Sequence, residues 1–314
     1  MTAEAAPGVP PSRPGTAGSA FIRQAAEGVR LLLVSIGQAL SYVGRRRIGS
    51  PLPRIGFLGR WEMLALALLA AGLTAAALVL LDPLVLGLRQ KLPAGLITVS
   101  ERLTDLGFSG VVLWPLGLAL AYALLLTHAG DAMTGAMTRR MAASLAARVG
   151  FLFLAIAPVG LGVSLFKHVL GRARPHAALA LPGPNPEQSL HLLAFKSSFA
   201  SFPSGHATTT FAAAVAFAAL FPRARMWLIA LALPVAGTRI VLGSHFPSDV
   251  IAGAAIGTAF ALWMIRVFAA RRLVFKVDGT GAIAPMAGPS ARRLGRFLPR
   301  TTFSSAVPVE EARP

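Results

Sequence analysis

The 314-residue chain contains no cysteine. Disulfides, thiolate nucleophiles and cysteine-ligated metals are excluded at once, and thiol usage reveals nothing about the redox compartment. Charge is scarce as well. Only 13% of residues are Asp, Glu, Lys or Arg against 55% hydrophobic, too apolar for a soluble domain of this size, so the composition points to an integral membrane protein. The first residues are not expected to be a cleavable secretion signal: Met1 to Gly18 is rich in Pro, Gly and Ala, carries only Arg13 and has no apolar core, the composition of a disordered tail. The formal charge of +18 would suit nucleic acid, yet the basic residues cluster beside apolar runs. That placement suits a membrane surface, and no nucleic-acid partner is expected.

What is present is a series of long apolar stretches. Six are candidates to cross a bilayer: Met63 to Leu81, Val111 to Thr127, Gly150 to Phe166, Ala207 to Phe221, Met226 to Leu242 and Val250 to Phe268. The fourth is short, alanine-rich and lowered in hydropathy by Thr208 to Thr210. The expected fold is all-α, a six-helix transmembrane bundle with flexible basic tails. Residues 1–60 form a disordered and amphipathic cytoplasmic region, 61–270 the six-span domain, and 271–314 a basic, disordered tail. Within the first region, Phe21, Ala25, Val29, Leu32, Ile36, Leu40 and Val43 recur at helical spacing, as in a helix lying on the membrane or a plain linker helix.

Positive charge sets the orientation. With the N-terminus inside, the cytoplasmic side receives eight Lys/Arg before the first span, three in the second loop, Arg223 and Arg225, and nine from Arg266 onward; the outside holds eight. Both termini are then cytoplasmic and the polar outer loops face the periplasm of a bacterial inner membrane. The first outer loop, Asp82 to Gly110, shows no chemistry and has room for a surface helix at Ala94 to Leu106. The second, Ala177 to Phe202, is proline-rich and irregular, suited to a lid or entry region.

Three short clusters fall on that outer side. Lys167 and Arg174 are two helical turns apart, and Pro175 forces Arg174 out of the helix. Taken alone, ordinary interfacial anchoring by snorkelling basic side chains is the first reading of such a pair. Pro203-Ser204-Gly205-His206 precedes the fourth span, where glycine permits close backbone approach and a helix start offers N–H groups to an anion. The plainer alternative is a turn and cap. Arg239, His245 and Asp249 lie between spans five and six. Four residues separate His245 from Asp249, so the carboxylate can fix the imidazole tautomer if a helix begins near Phe246. Asp249 as a simple helix cap is the competing explanation. Together the clusters offer three fixed cations, helix-start N–H groups and two histidines, which is what a phosphoryl group requires.

Lys167-x6-Arg174-Pro175, Pro203-Ser204-Gly205-His206 and Arg239-x5-His245-x3-Asp249 resemble, in order, the three signature motifs of the type 2 phosphatidic acid phosphatase family. The resemblance covers roughly residues 60 to 270. It implies a phosphomonoester or diphosphate hydrolase that needs no metal or other cofactor and works through a phosphohistidine. By position, His245 is the nucleophile, Asp249 its orienting partner, and His206 the acid that protonates the leaving group and then activates water. Lys167, Arg174 and Arg239 hold the phosphate with Ser204 and the Gly205 N–H. Thr238 departs from the serine usual before the third-motif arginine, keeping a hydroxyl. An outer-leaflet site beside apolar spans favours a lipid phosphate: phosphatidate, phosphatidylglycerol phosphate, a polyprenyl diphosphate or lipid A. Phosphotransfer to a second lipid, and binding or transport of an anionic head group without turnover, are the alternatives.

Overall fold

The computed structural model describes residues 16–46, 59–128, 136–279 and 281–288. The helices are α1 (Thr16–Arg45), α2 (Arg60–Leu80), α3 (Leu88–Lys91), α4 (Ala94–Thr104), α5 (Ser109–His128), α6 (Ala136–Leu170), α7 (Pro175–Ala178), α8 (Gly205–Leu220), α9 (Arg225–Val241) and α10 (Pro247–Ala270). A small antiparallel hairpin follows, β1 (Phe275–Val277) with β2 (Ile283–Pro285).

Five stretches are long and apolar enough to cross a membrane: Arg60–Leu80, Ala94–Thr127, Arg139–Leu170, Pro222–Val241 and Pro247–Ala270. The protein is an all-α integral membrane protein. The fourth expected span is α8, and it is shorter than the rest. Its 16 residues extend only about 24 Å, against the roughly 30 Å of a hydrocarbon core. Its surroundings account for this: α8 packs against α6, α9 and α10, and Ala207, Ala212, Ala214, Ala216 and Ala218 are buried. A helix enclosed by other helices need not match the lipid thickness. By contrast α2 turns Leu64, Leu66, Leu68, Leu69 and Leu73 outward, as a lipid-facing helix does.

The contact between α8 and α10 sets the geometry of everything above it. A side chain at Gly253 would place its Cβ 2.5 Å from the Ser204 carbonyl oxygen, and one at Gly257 would stand 2.2 Å from that of Thr208. Two glycines four residues apart therefore let the helix backbones touch, the packing that small residues provide where lipid supplies no hydrophobic drive.

Three expectations are corrected. The tail expected to be disordered to Gly18 is already helical from Thr16, while residues 1–15 lie outside the described residues. Helix α1 is also neither a free linker nor wholly a surface helix: Leu32 and Ala39 pack on Ala123, Leu124 and Ala146. The Arg46 guanidinium donates to the carbonyls of Arg271 and Arg272, tying it to the end of α10. Finally, the segment after residue 271 begins as a docked hairpin, not a disordered tail. Val274 and Phe275 are buried, Phe275 meeting Phe151 edge-on at 4.9 Å, and Arg148 donates to the carbonyls of Met286 and Ala287. Three-residue strands are too short to show a period, and only the apolar pair Val274-Phe275 marks the place. The rest of that tail, from residue 289, lies outside the described residues.

Phe275→Ala is expected to lower unfolding stability by about 3–5 kcal/mol, the usual cost of emptying a buried aromatic site, read as a drop in Tm in detergent. An unchanged Tm contradicts the docking.

Candidate active site

Five helix ends meet at one end of the bundle: the C-terminal ends of α2, α6 and α9 and the N-terminal ends of α8 and α10. Helix α6 stops just after Lys167. Gly171, at φ +63°, donates its N–H to the Lys167 carbonyl and reverses the chain. A Cβ at Gly171 would lie 1.7 Å from the His191 carbonyl oxygen, so only glycine allows the following segment to lie on the 189–191 strand-like stretch. Arg172 bridges Leu190, and the Arg174 N–H donates to the Ser198 carbonyl at 2.8 Å. Arg174 is extended ahead of Pro175, as the proline demands. The long second outer loop is thereby strapped to the end of α6. It presents Leu192, Leu193 and Phe195 outward next to the exposed Leu165, Phe166 and Val169 of α6, one continuous apolar face.

Ser204 starts α8. Its Oγ accepts weakly from the Ala207 N–H at 3.4 Å, which leaves its own hydroxyl proton available, and its N–H donates to the Asp249 carbonyl at 3.0 Å. His206, in the first turn, faces Phe108 with ring centres 6.2 Å apart.

Arg239 ends α9. One guanidinium nitrogen donates to Thr104 Oγ1 at 3.1 Å, while its buried Nε has no hydrogen-bond partner among the described residues; the Nε of Arg174 is in the same state. Gly243, at φ +62°, then folds the chain back so that the N–H groups of Ser244 and His245 both donate to the Arg239 carbonyl. This turn swings His245 over the start of α10. Its Nδ1 stands 3.6 Å from Asp249 Oδ2, an ion-pair distance just beyond hydrogen-bond reach. Burial pushes the imidazole below its ordinary pKa, and nearby Arg174 and Arg239 push the same way; Asp249 opposes them. Burial also lowers the Arg174 guanidinium, again opposed by Asp249.

Lys167, Arg174, Arg239 and His245 all lie within electrostatic reach of His206, and Arg174 and Arg239 lie within reach of both Lys167 and His245. The eight residues singled out in the sequence, with Ser204, Gly205 and Asp249 completing the set, therefore gather at one end of the bundle. Buried arginine donors without partners are costly unless an acceptor occupies the space they face, and a tetrahedral oxyanion supplies several.

The helix-cap explanation for Asp249 is met in the structure. Its Oδ2 caps α10 by accepting the Phe246 N–H at 2.8 Å, and the same oxygen faces His245.

Sequence reasoning missed the layer beneath. Arg172 is buried and makes five hydrogen bonds: Nε to the Glu187 carbonyl, Nη1 to Ser248 Oγ (2.7 Å) and Asp249 Oδ1 (2.6 Å), Nη2 to Asp82 Oδ2 (2.7 Å) and again the Glu187 carbonyl. Ser201 Oγ donates to Asp249 Oδ2 at 2.6 Å, and Asp82 also accepts from the Ser248 N–H and hydroxyl. The first outer loop, which showed no chemistry in the sequence, thus contributes Asp82. Arg172 carried one signal, a second arginine two residues before Arg174; Asp82 carried only its place, a lone acid closing an apolar span.

Residues 148–273 match the family model described as "PAP2 superfamily". Over 151 residues the chain is 41% identical to a lipid A 1-phosphatase of Rhizobium johnstonii, covering 46% of this chain and 56% of that one. A decaprenylphosphoryl-5-phosphoribose phosphatase of Mycobacterium tuberculosis is 41% identical over 96 residues, covering 30% of this chain and 46% of that one. The chain thus spans about half the length of the curated relatives it matches. A crystal structure of a transmembrane PAP2-type phosphatidylglycerolphosphate phosphatase from Bacillus subtilis aligns with a TM-score of 0.44 at 19% identity, covering 65% of this chain and 94% of that one. All three clusters lie within the segment that matches the PAP2 superfamily model.

Proposed function

We propose that the protein is a membrane lipid phosphatase that hydrolyses a phosphomonoester or diphosphate through a phosphohistidine. The observation that carries this reading is the convergence of three cationic side chains, two histidines and Asp249 at one end of the bundle, with donors of Arg174 and Arg239 left for an anion.

In the proposed reaction Nε2 of His245 attacks phosphorus, and its burial keeps the ring neutral and nucleophilic at physiological pH. The Asp249 carboxylate stabilises the positive charge that forms on the ring. Lys167, Arg174 and Arg239 neutralise the phosphoryl oxygens, with the Ser204 hydroxyl and the Gly205 N–H completing the cradle. With the negative phosphoryl group bound and offsetting the surrounding cations, His206 takes up a proton on binding and gives it to the departing alkoxide. It then takes one from water, which attacks the phosphohistidine, releasing phosphate and restoring His245.

A lipid substrate is favoured by the apolar face formed by Leu192, Leu193 and Phe195 beside α6 at the same end as the site. The relatives named as lipid A 1-phosphatases make lipid A the first candidate. Residues 61–270 carry the catalytic bundle in this reading. The basic residues gathered at the opposite end, with Trp61, Trp227 and Trp263, support termini in the cytoplasm and a site on the periplasmic face of a bacterial inner membrane.

Purified protein is expected to release phosphate from lipid A or a short-chain phosphatidate in detergent, undiminished by a chelator, because fixed cations serve the phosphoryl charge. His245→Ala abolishes release; retained turnover contradicts the nucleophile. His206→Ala lowers kcat by about 10²–10⁴-fold, and a substrate with a better leaving group recovers part of the loss. Equal losses for both substrates contradict the acid role.

A further inference from the structure

The buried layer under the site joins the end of α2 to the histidine. Asp82 closes α2, Arg172 follows α6, Ser201 ends the second outer loop, and Ser248 and Asp249 begin α10. Asp82, Ser201, Ser248 and Asp249 are wholly buried and Arg172 nearly so. Asp82 lies outside the segment that matches the family model.

Every N–H of the Arg172 guanidinium is engaged, and its plane sits 4.6 Å from the centre of the Phe246 ring. The group therefore has one orientation. In that orientation it holds Asp249 by Oδ1, which leaves Oδ2 to Ser201, the Phe246 N–H and His245. A lone arginine against Asp249 would draw the carboxylate's charge away from the imidazole. Asp82 offsets this by binding the far side of the same guanidinium, and Ser248 bridges them, its hydroxyl donating to Asp82 while accepting from Arg172. The three groups carry a net single negative charge, directed at His245 and the cations beyond it.

We propose that Asp82 and Arg172 are positioning residues for the reaction: they fix Asp249 and preserve its negative charge, so that the His245 ring is aligned and its developing charge stabilised. This rests on the phosphohistidine reading above. Neither residue touches the phosphate, so their effect falls on turnover and not on anion binding.

The test uses the full-length chain in detergent with a short-chain phosphatidate as substrate and inorganic phosphate as a competitive probe of the cradle. Asp82→Asn keeps shape and removes the charge. It is expected to lower kcat about 10- to 100-fold, the scale of a small misplacement of a reacting group, with KM and the phosphate inhibition constant changed less than about threefold. Combined with Asp249→Asn it should cost little more than Asp249→Asn alone, because both act through one carboxylate. A purely structural role would lower Tm without this split between kcat and phosphate binding, and its effects would add. Should Asp82→Asn fail to fold, Arg172→Lys, which keeps the charge but not the planar fork, is expected to give the same split. Unchanged kcat in the folded variant, or additive losses in the double variant, overturns the proposal. Retained turnover in His245→Ala overturns the reading beneath it instead, so the two failures are distinguishable.

Discussion

A carboxylate without solvent must be matched on both oxygens, and Asp249 is matched by two distant parts of the chain and by the turn just before it. Arg172 takes Oδ1, while Ser201 and the Phe246 N–H take Oδ2, which also faces His245 at 3.6 Å. The Asp249 backbone carbonyl accepts the N–H of Ser204, joining α10 to the start of α8. Because an unmatched buried charge is severely destabilising, these partners cannot drift independently. The single residue thus fixes the end of α6, the start of α8, the turn before α10 and, through Asp82, the end of α2.

That anchoring divides the basic residues into two kinds. Arg172 is saturated, with every donor engaged by the protein. Arg174 and Arg239 keep buried donors without partners among the described residues and lie in electrostatic reach of Lys167 and both histidines. The two kinds are therefore separable by their hydrogen bonds, although Arg172 and Arg174 stand two residues apart. In the proposed reaction the second kind meets the phosphate and the first holds what attacks it.

The three motifs were legible because their chemistry is unusual at the ends of apolar spans: charge is expensive there and stands out. The helical class and the positions of the spans followed from the same contrast. Asp82 and Arg172 were not legible, since what matters in each is a tertiary contact, and a single acid or arginine at a span end is ordinary. Helix α8 looked weak as a span because its alanines and threonines lower its hydropathy; burial by its neighbours, which no local pattern encodes, removes the need for it to match lipid. The glycines at 253 and 257 are ordinary in a transmembrane helix until α8 is seen touching them. The hairpin after α10 was lost in a glycine- and proline-rich tail because only a few scattered apolar residues, Val274 and Phe275 the most buried, pack on the core.

The central claim is that this geometry delivers a phosphoryl group to His245. Rapid quenching of the protein during turnover of a ³²P-labelled lipid phosphate, followed by peptide mapping, tests it directly. The account predicts an acid-labile, base-stable label on His245 that is absent from His245→Ala. Label on another residue, or phosphate release from protein in which His245 never becomes labelled, contradicts it.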